Sequence, residues 1–371
     1  MTVDYTVRLR FGETSRDAAT HTNLSAVRLD GPVLWIAGDE TATIERLTAD
    51  DPHKAAEFGG EASFRLADLI ELPGDNPDEE ADVEGLARTG HFLWAVGSHS
   101  LRRKQIKAHH DGAKALKRLA RVEGQGNRQI LVRLPIAEVD GVPAPVREIE
   151  VDGRTHRAAA LGRRDNLREL LRDDEHLGAF VPIPGKDNGL DVEGIAVRGD
   201  RVYLGLRGPV LRGWAFVLEL RPYVDGDDPG RLRLREFADG HPYRKHVLDL
   251  EGLGVRDLCP DGDDLMILAG PTMDLDGPVR IYRWHGAARS DIPVIVRDDL
   301  ITRELDLSYG EGDDHAEGIS MLGDDRMLVV FDSPAAARLT DDGAVIADVV
   351  KLPTPGRPAA RPPDGESPTT R

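Results

Sequence analysis

The chain has 371 residues, of which 31% are charged, and its formal net charge is −18 at pH 7. So acidic a chain is as a whole a poor partner for nucleic acid or an anionic membrane surface, and any basic patch must be local. The single cysteine, Cys259, excludes an intramolecular disulfide and a cysteine-based zinc site. Residues 1–10 lack the pattern of a signal peptide, so we expect a soluble, cytoplasmic protein.

Five segments of the chain repeat one pattern, in which an anchor residue is followed six positions later by a glycine and then by a short apolar run. The anchors and glycines are Ser25 and Gly31, Glu84 and Gly90, Glu193 and Gly199, Arg256 and Gly262, and Glu317 and Gly323. The apolar runs at 33–37, 92–96, 202–206, 265–269 and 327–331 have the length and composition of buried strands. Because the glycine and its polar neighbour supply a turn, each repeat predicts a hairpin. Further apolar runs predict three or four antiparallel strands per repeat.

These repeats predict an all-β fold, a single β-propeller of five blades formed by residues 1–353. Successive anchors lie 59, 109, 63 and 61 residues apart. The double gap leaves six blades as an alternative, but we favour helical insertions in the second blade, at about 101–128 and 155–180, because residues 108–121 and 163–171 have the pattern of helices. Residues 5–11 are expected to add an outer strand to the last blade and close the ring. Two stacked β-sandwiches compete with this fold, and the tail 354–371 is expected to be disordered.

The hairpins predict rings of polar side chains around the mouth of a central channel. The first ring is formed by the five anchors. A second ring, two residues earlier, contains Asn23, Asp82, Asp191, Gly254 and His315. A third, where the second strands end, contains Asp39, Ser98, Arg207, Gly270 and Asp332.

Three glutamates about 8 Å apart would repel one another by about 2 kcal/mol per pair. Arg207 and Arg256 neutralise only part of this charge. The rings therefore predict a hard divalent cation, calcium first and magnesium second, with the ligand candidates Glu84, Glu193, Glu317, Asp82 and Asp191. The alternative is that the carboxylates bind backbone N–H groups and water and are purely structural.

A local basic block follows the second hairpin, with Arg102, Arg103, Lys104, Lys107, His109, His110, Lys114, Lys117, Arg118 and Arg121. It is either a lid that draws in an anionic substrate or a solvated insertion. Lys186, in the loop that leads to Glu193, allows the same two interpretations. His99 and His315 are candidate general acids or bases, with a surface or supporting role as the alternative.

Three segments resemble the Glu-Gly strand motif of phytase-like and esterase-like propellers and of five-bladed calcium-dependent nucleotidases: residues 82–86, 191–195 and 315–319. Residues 97–100, 205–210 and 255–258 resemble the bacterial family catalogued as domain of unknown function 3616. The resemblance covers about residues 23–353 and implies a propeller, with a metal-dependent phosphoester hydrolase as a model. Ser25 and Arg256 depart from the motif, because they replace glutamate at two anchors.

Two functions follow as hypotheses. In the first, the protein is a metal-dependent hydrolase of a small anionic ester, with the substrate bound by Arg207, Arg256, Arg102, Arg103 and Lys186 and protons moved by His99 or His315. In the second, it is a non-catalytic scaffold that binds a ligand or protein at the same mouth. We expect a small anionic ligand and neither nucleic acid nor membrane as partner, and a protein partner stays open.

Overall fold

The computed structural model describes residues 3–162, 165–289, 293–323 and 325–353. Within them the fold is all-β, with 28 strands and three short α-helices. The first strands are β1 (Val3–Arg10), β2 (Leu24–Asp30), β3 (Val33–Gly38), β4 (Thr43–Thr48), β5 (Glu57–Arg65), β6 (Val83–Thr89), β7 (Phe92–Gly97), β8 (Arg102–Arg103) and β9 (Val122–Glu123). The middle strands are β10 (Leu131–Val139), β11 (Val142–Pro145), β12 (Glu148–Val151), β13 (Arg154–Arg157), β14 (Ala159–Leu161), β15 (Asp191–Arg198), β16 (Arg201–Leu211), β17 (Trp214–Leu220), β18 (Pro222–Val224), β19 (Arg231–Leu234) and β20 (Tyr243–Asp249).

The last strands are β21 (Gly254–Asp261), β22 (Asp264–Gly270), β23 (Val279–Trp284), β24 (Ile295–Val296), β25 (Ile301–Leu307), β26 (His315–Met321), β27 (Arg326–Asp332) and β28 (Ala344–Lys351). The α-helices are α1 (Glu13–Asp17), α2 (Gly112–Leu119) and α3 (Leu167–Leu171). Single turns of 3₁₀ helix lie at Thr20–Thr22, Leu66–Asp68, Gly178–Phe180, Gly185–Asp187, Asp298–Leu300 and Ala336–Arg338. Within the described residues, none of the helices is long and apolar enough to cross a membrane.

All five predicted hairpins are present, and their first strands are β2, β6, β15, β21 and β26. Four of the turn glycines have φ between 54° and 60°, a left-handed conformation that favours glycine. Each hairpin is extended to an antiparallel unit of four strands: β2-β3-β4-β5, β6-β7-β10-β14, β15-β16-β17-β20, β21-β22-β23-β25 and β26-β27-β28-β1. The N-terminal strand β1 pairs antiparallel with β28 and parallel with β5. As the sequence predicted, the N-terminal strand therefore joins the last unit, and it links that unit to the first in one eight-stranded sheet.

The first strands of the five units follow one another in a closed order around a common axis. A Cβ at Gly85 would lie 2.8 Å from Ile195, one at Gly194 would lie 2.8 Å from the amide of Leu258, and one at Gly318 would lie 3.1 Å from the amide of Val27. Glycine after the anchor therefore lets neighbouring first strands approach closely. This is the physical reason for the Glu-Gly pairs in the sequence.

The core consists of five hydrophobic clusters, and each fills the space between two consecutive units. Trp35 and Leu86 belong to the cluster between the first and second units, and Tyr203 and Trp284 to that between the third and fourth. The rings of Tyr203 and Trp284 meet edge to face with centroids 6.3 Å apart. The arrangement is propeller-like, because sheets packed face to face surround one axis.

The connection between β7 and β10 holds the first insertion. It contains the β8–β9 pair and α2, which is shorter than the predicted helix 108–121 and begins at an N-cap where Asp111 accepts a hydrogen bond from the amide of Lys114. The range 155–180 is only partly insertion, because β14 within it pairs with β10 as the fourth strand of its unit. Residues 163–164 of the second predicted helix and the tail 354–371 lie outside the described residues.

Candidate functional site

Each anchor lies where the first strand of its unit has a β-bulge. The register of the hairpin shifts at Ser25, Glu84, Glu193, Arg256 and Glu317. A bulge adds one residue to a strand and redirects its side chain, and bulges are frequent next to functional sites. The same distortion in all five units places the five anchors at one level around the axis.

The glutamate anchors converge. One carboxylate oxygen from each of Glu84, Glu193 and Glu317 lies within 4.8 Å of the others. This is closer than the separation of about 8 Å assumed from the sequence, because the bulges turn the side chains towards the axis. At 4.8 Å two ionised carboxylates repel by about 3 kcal/mol at an effective dielectric constant near 20.

Two of the glutamates are paired with arginines. Arg207 donates from Nη1 to Glu193 Oε1 at 2.8 Å, and Arg256 donates from Nη1 to Glu317 Oε1. Arg256 Nε lies 3.6 Å from Glu193 Oε2, which accepts no hydrogen bond in the described structure. Glu84 is 8% exposed and has neither a hydrogen bond nor an ion pair with any described residue. The cluster therefore keeps free carboxylate oxygens.

The pKa shifts of the three glutamates differ. Burial, and then the charges of Asp82 and Glu193, raise the pKa of Glu84 well above its usual value. Burial also raises the pKa of Glu193, although Arg207 and Arg256 oppose it. Burial opposes ionisation of Glu317 too, but Arg256 and Arg207 outweigh it and lower the pKa of this carboxyl. Glu84 is thus the member whose charge is least compensated.

A cavity of about 450 Å³ lies above the cluster. Its walls include Glu84, Glu317 and six aspartates: Asp39, Asp82, Asp187, Asp191, Asp274 and Asp332. Burial, followed by the charge of Glu193, raises the pKa of Asp191 to about 8, and burial with Asp82 and Asp332 raises that of Asp39 to about 8. Burial is the larger cause of both shifts, and the neighbouring carboxylates add to it.

Cations line the rim and one wall of the same cavity. Arg102, Arg103 and Lys186 are all lining residues, as is Arg207. Arg102 contacts Glu80 at 3.1 Å, Arg103 contacts Asp187 at 2.6 Å, and Lys186 lies 3.9 Å from Asp274. The first insertion therefore borders the mouth, and four of the five predicted substrate-binding residues line one cavity. The fifth, Arg256, lies beside it with Glu317 and Glu193.

Sequence reasoning missed Arg128. Its guanidinium contacts Asp82 at 2.8 Å and Glu80 at 2.6 Å, and its side chain is 9% exposed. Arg128 ends the first insertion and belongs to none of the repeated positions, so no pattern pointed to it. It supplies the compensation for Asp82 that the anchor ring does not.

Neither His99 nor His315 lines the cavity. His99 has φ of 54° and is completely buried, its Nδ1 lies 2.8 Å from the carbonyl oxygen of Gly97, and burial lowers its pKa to about 4. His315 is partly exposed beside the cluster, where its Nε2 lies 3.3 Å from Asp276. A role in proton transfer stays a prediction for both histidines. Of the two, His315 is the more exposed.

The channel is closed below the glutamates. Arg28, 5% exposed, donates from Nε to the carbonyl of Leu86 at 2.9 Å and from Nη2 to that of Leu258 at 2.8 Å. Asp257 accepts from the amides of Leu258 at 2.7 Å and Ile319 at 2.9 Å. Arg28 Nη2 also lies 3.5 Å from Asp257 Oδ1, and this pair ties four units together across the axis, so a ligand reaches the cluster from the cavity side.

A family model described as "Protein of unknown function (DUF3616)" matches residues 23–348, and the chain belongs to this family. A search of curated proteins gave no match. Among solved structures, the chain is similar to glutaminyl cyclase of Myxococcus xanthus, with 10% identity, 95% of this chain and 97% of that chain covered, and a TM-score of 0.39. It is also similar to the PQQ-bound aldose sugar dehydrogenase of Streptomyces coelicolor, with 14% identity, 95% and 98% covered, and a TM-score of 0.38. Similarity at this level carries no information about activity, ligands or partners.

Proposed function

We propose that the five four-stranded units are the five blades of a β-propeller and that the cavity binds a divalent cation and hydrolyses a small anionic ester, a phosphoester first. One observation carries the proposal. Three glutamates from three blades converge within 4.8 Å beneath an open cavity, and one of them, Glu84, lines that cavity and has no ion pair or hydrogen bond with any described residue.

Calcium suits the geometry best. It binds oxygen ligands at 2.3–2.6 Å, so two ligands of one ion are at most about 5 Å apart, and the three carboxylates meet that limit. Magnesium binds at about 2.1 Å and would need separations of about 4 Å or less. Both oxygens of Glu84 and Oε2 of Glu193 are free of hydrogen bonds in the described structure, and the cavity leaves room for water and for oxygens of Asp82 or Asp191.

A cation held there would polarise an ester oxygen or acidify a bound water. The protein's own part is to place the substrate. Lys186, Arg102 and Arg103 border the mouth and attract an anion, and Arg207 lies in the wall next to Glu193. Preorganised cations of this kind stabilise negative charge that develops in a transition state.

The test has two stages. Protein stripped with chelator is melted with and without added calcium, magnesium or manganese, because a ligand at one hundred times its dissociation constant stabilises by about 2.7 kcal/mol. We expect calcium to raise the melting temperature most, and a set of phosphomonoesters and phosphodiesters is then assayed with that ion. No rise with any ion would refute the metal site, and a rise without turnover would refute the hydrolase alone.

A non-catalytic scaffold is the second candidate. It is favoured by the arginines that already pair with Glu193 and Glu317, and by the burial of His99. Glu193→Gln distinguishes the two. A metal site predicts loss of ion binding with little loss of fold, whereas a structural pair predicts a drop in stability of the same size with and without ion, because Arg207 then lies buried without its counter-charge.

A further inference from the structure

Helix α2 has an apolar face that nothing in the described structure covers. Leu116 and Leu119 are three residues apart and share one side of the helix, and they are 69% and 44% exposed. No residue of α2 is buried. Ile106 and Val122, which flank the helix in the same insertion, are 50% and 39% exposed. Exposed apolar side chains gathered in this way mark an interaction surface.

The other side of the helix is cationic, with Lys114, Lys117 and Arg118. Elsewhere in the insertion the cations are paired: Lys104 and Arg121 both contact Glu123, at 3.1 Å and 2.6 Å. By contrast, the side chains of Lys107, Lys114 and Lys117 have no ion pair or hydrogen bond with any described residue. Three lysines without a partner among the described residues therefore lie in the same insertion as exposed leucine and isoleucine, on an otherwise acidic protein.

We propose that this surface, formed by Ile106, Lys107, Lys114, Leu116 and Lys117, docks the protein on an anionic lipid bilayer. A basic amphipathic helix lying in the plane of the membrane buries its apolar side among the acyl chains while its lysines reach the headgroups. Each lysine near such a surface contributes about a fivefold gain in partitioning. The expectation of no membrane partner rests on the net charge of the whole chain, and repulsion from remote acidic groups is screened over a Debye length of about 8 Å.

Other occupants fit less well. A protein groove that binds a helix usually contacts apolar side chains at positions i, i+3, i+4 and i+7, over about two turns or more. Helix α2 has only two leucines. A second copy packed on the same face would cover the leucines but would leave both sets of lysines without counter-charges. Single-stranded nucleic acid is bound by stacking on aromatic rings, and residues 101–123 contain no Phe, Tyr or Trp. A fluid bilayer needs no matching pocket.

Docking in this way would set the cavity against the headgroups. Leu119, Lys104 and Gln105 belong to the insertion and also line the cavity. The inference does not depend on the proposed cation, since the docking surface contains no carboxylate.

The test is co-sedimentation of the full-length protein with vesicles of phosphatidylcholine containing about 30% phosphatidylserine, and with phosphatidylcholine alone. Chelator is present throughout, so that bridging calcium cannot contribute and failure of the cation site leaves the result unaffected. We expect binding only to the anionic vesicles, with loss of binding between about 0.1 M and about 0.5 M salt. Lys107→Gln, Lys114→Gln and Lys117→Gln combined should weaken partitioning about 100-fold, and Leu116→Ser should weaken it about tenfold.

Two matched controls lie outside the insertion. Lys54→Gln removes an exposed lysine and Val294→Ser an exposed apolar residue, with side-chain exposure of 84% for Lys54 and a residue exposure of 59% for Val294. Neither should change vesicle binding, and all variants should melt as the wild type does. No binding to anionic vesicles, or binding that the lysine variant retains, would overturn the proposal. Binding to a poly-glutamate peptide without binding to vesicles would overturn it in favour of an acidic protein partner.

Discussion

Replacing Glu84 by glutamine removes the one glutamate of the cluster that has no ion pair with any described residue. In the metal-free protein, burial and neighbouring carboxylates raise the pKa of Glu84 well above its usual value. The folded protein therefore keeps a proton that the unfolded chain has released above about pH 4.5, and stability falls as pH rises from that value towards the folded pKa. Glutamine has no such penalty.

The size of the effect follows from the geometry. A carboxylate 4.8 Å from another is repelled by about 3 kcal/mol per ionised pair, and the arginines on Glu193 and Glu317 offset part of this. At pH 8 without metal, Glu84→Gln should thus be about 1–3 kcal/mol more stable than the wild type, and at pH 4 the two should be equal. Saturating calcium should remove or reverse this difference, because it stabilises the wild type by about 2.7 kcal/mol and the variant not at all. Saturating ion should raise the melting temperature of the wild type by about 3–4 °C and that of the variant by none.

Urea unfolding at pH 4 and pH 8 in chelator measures the first effect, and thermal melts with calcium measure the second. Glu40→Gln is a matched control, because Glu40 lines the same cavity on its exposed side. It should leave both measurements nearly unchanged. A Glu84→Gln variant that is less stable than the wild type in chelator, or that gains the same stabilisation from calcium, would refute the reasoning.

Three further substitutions test the surroundings of the site. Arg207→Leu should lower the free energy of unfolding by about 3–5 kcal/mol, because Glu193 loses its hydrogen-bonded arginine and keeps only Arg256 at 3.6 Å, and adding Glu193→Leu should restore part of the loss in urea unfolding. The free energy of unfolding of the wild type should fall by about 3 kcal/mol between pH 6.5 and pH 4, because burial lowers the pKa of His99 to about 4 and the unfolded chain takes up the proton first. His99→Asn should abolish this fall. A variant whose stability has the same pH profile as that of the wild type would contradict this. Gly254→Ala should cost about 1–3 kcal/mol in urea unfolding and weaken calcium binding, because its methyl group would collide with the backbone carbonyl of Arg207.

The hairpins could be predicted because their signal is local. Gly31, Gly90, Gly199 and Gly262 lie at turns whose positive φ favours glycine, and the runs after them form buried strands. The convergence of the glutamates could be predicted from their equal phase in the repeat. The distance between their carboxylates could not be predicted. Such a distance is calculated from the regular alternation of side chains along a strand, and the bulges at the anchors break that alternation.

The remaining differences between the predicted and the observed site depend on contacts between residues that are far apart in the sequence or on the local backbone conformation. The placement of Arg128 beside Asp82 depends on where a long insertion returns to the sheet. His99 follows a strand end that points to the mouth, but its left-handed backbone turns the ring into the core. The apolar face of α2 could not be recognised as exposed, since the same pattern of leucines is expected for a packed helix.

A divalent cation bound jointly by Glu84, Glu193 and Glu317 would be visible by anomalous diffraction from crystals grown with calcium, or with manganese as a stronger scatterer. We expect one strong peak among the three carboxylates, within about 2.6 Å of at least one oxygen of each, and no peak there in Glu84→Gln. Crystals that contain the ion elsewhere, with only water or the Lys186 ammonium among the three carboxylates, would contradict this expectation.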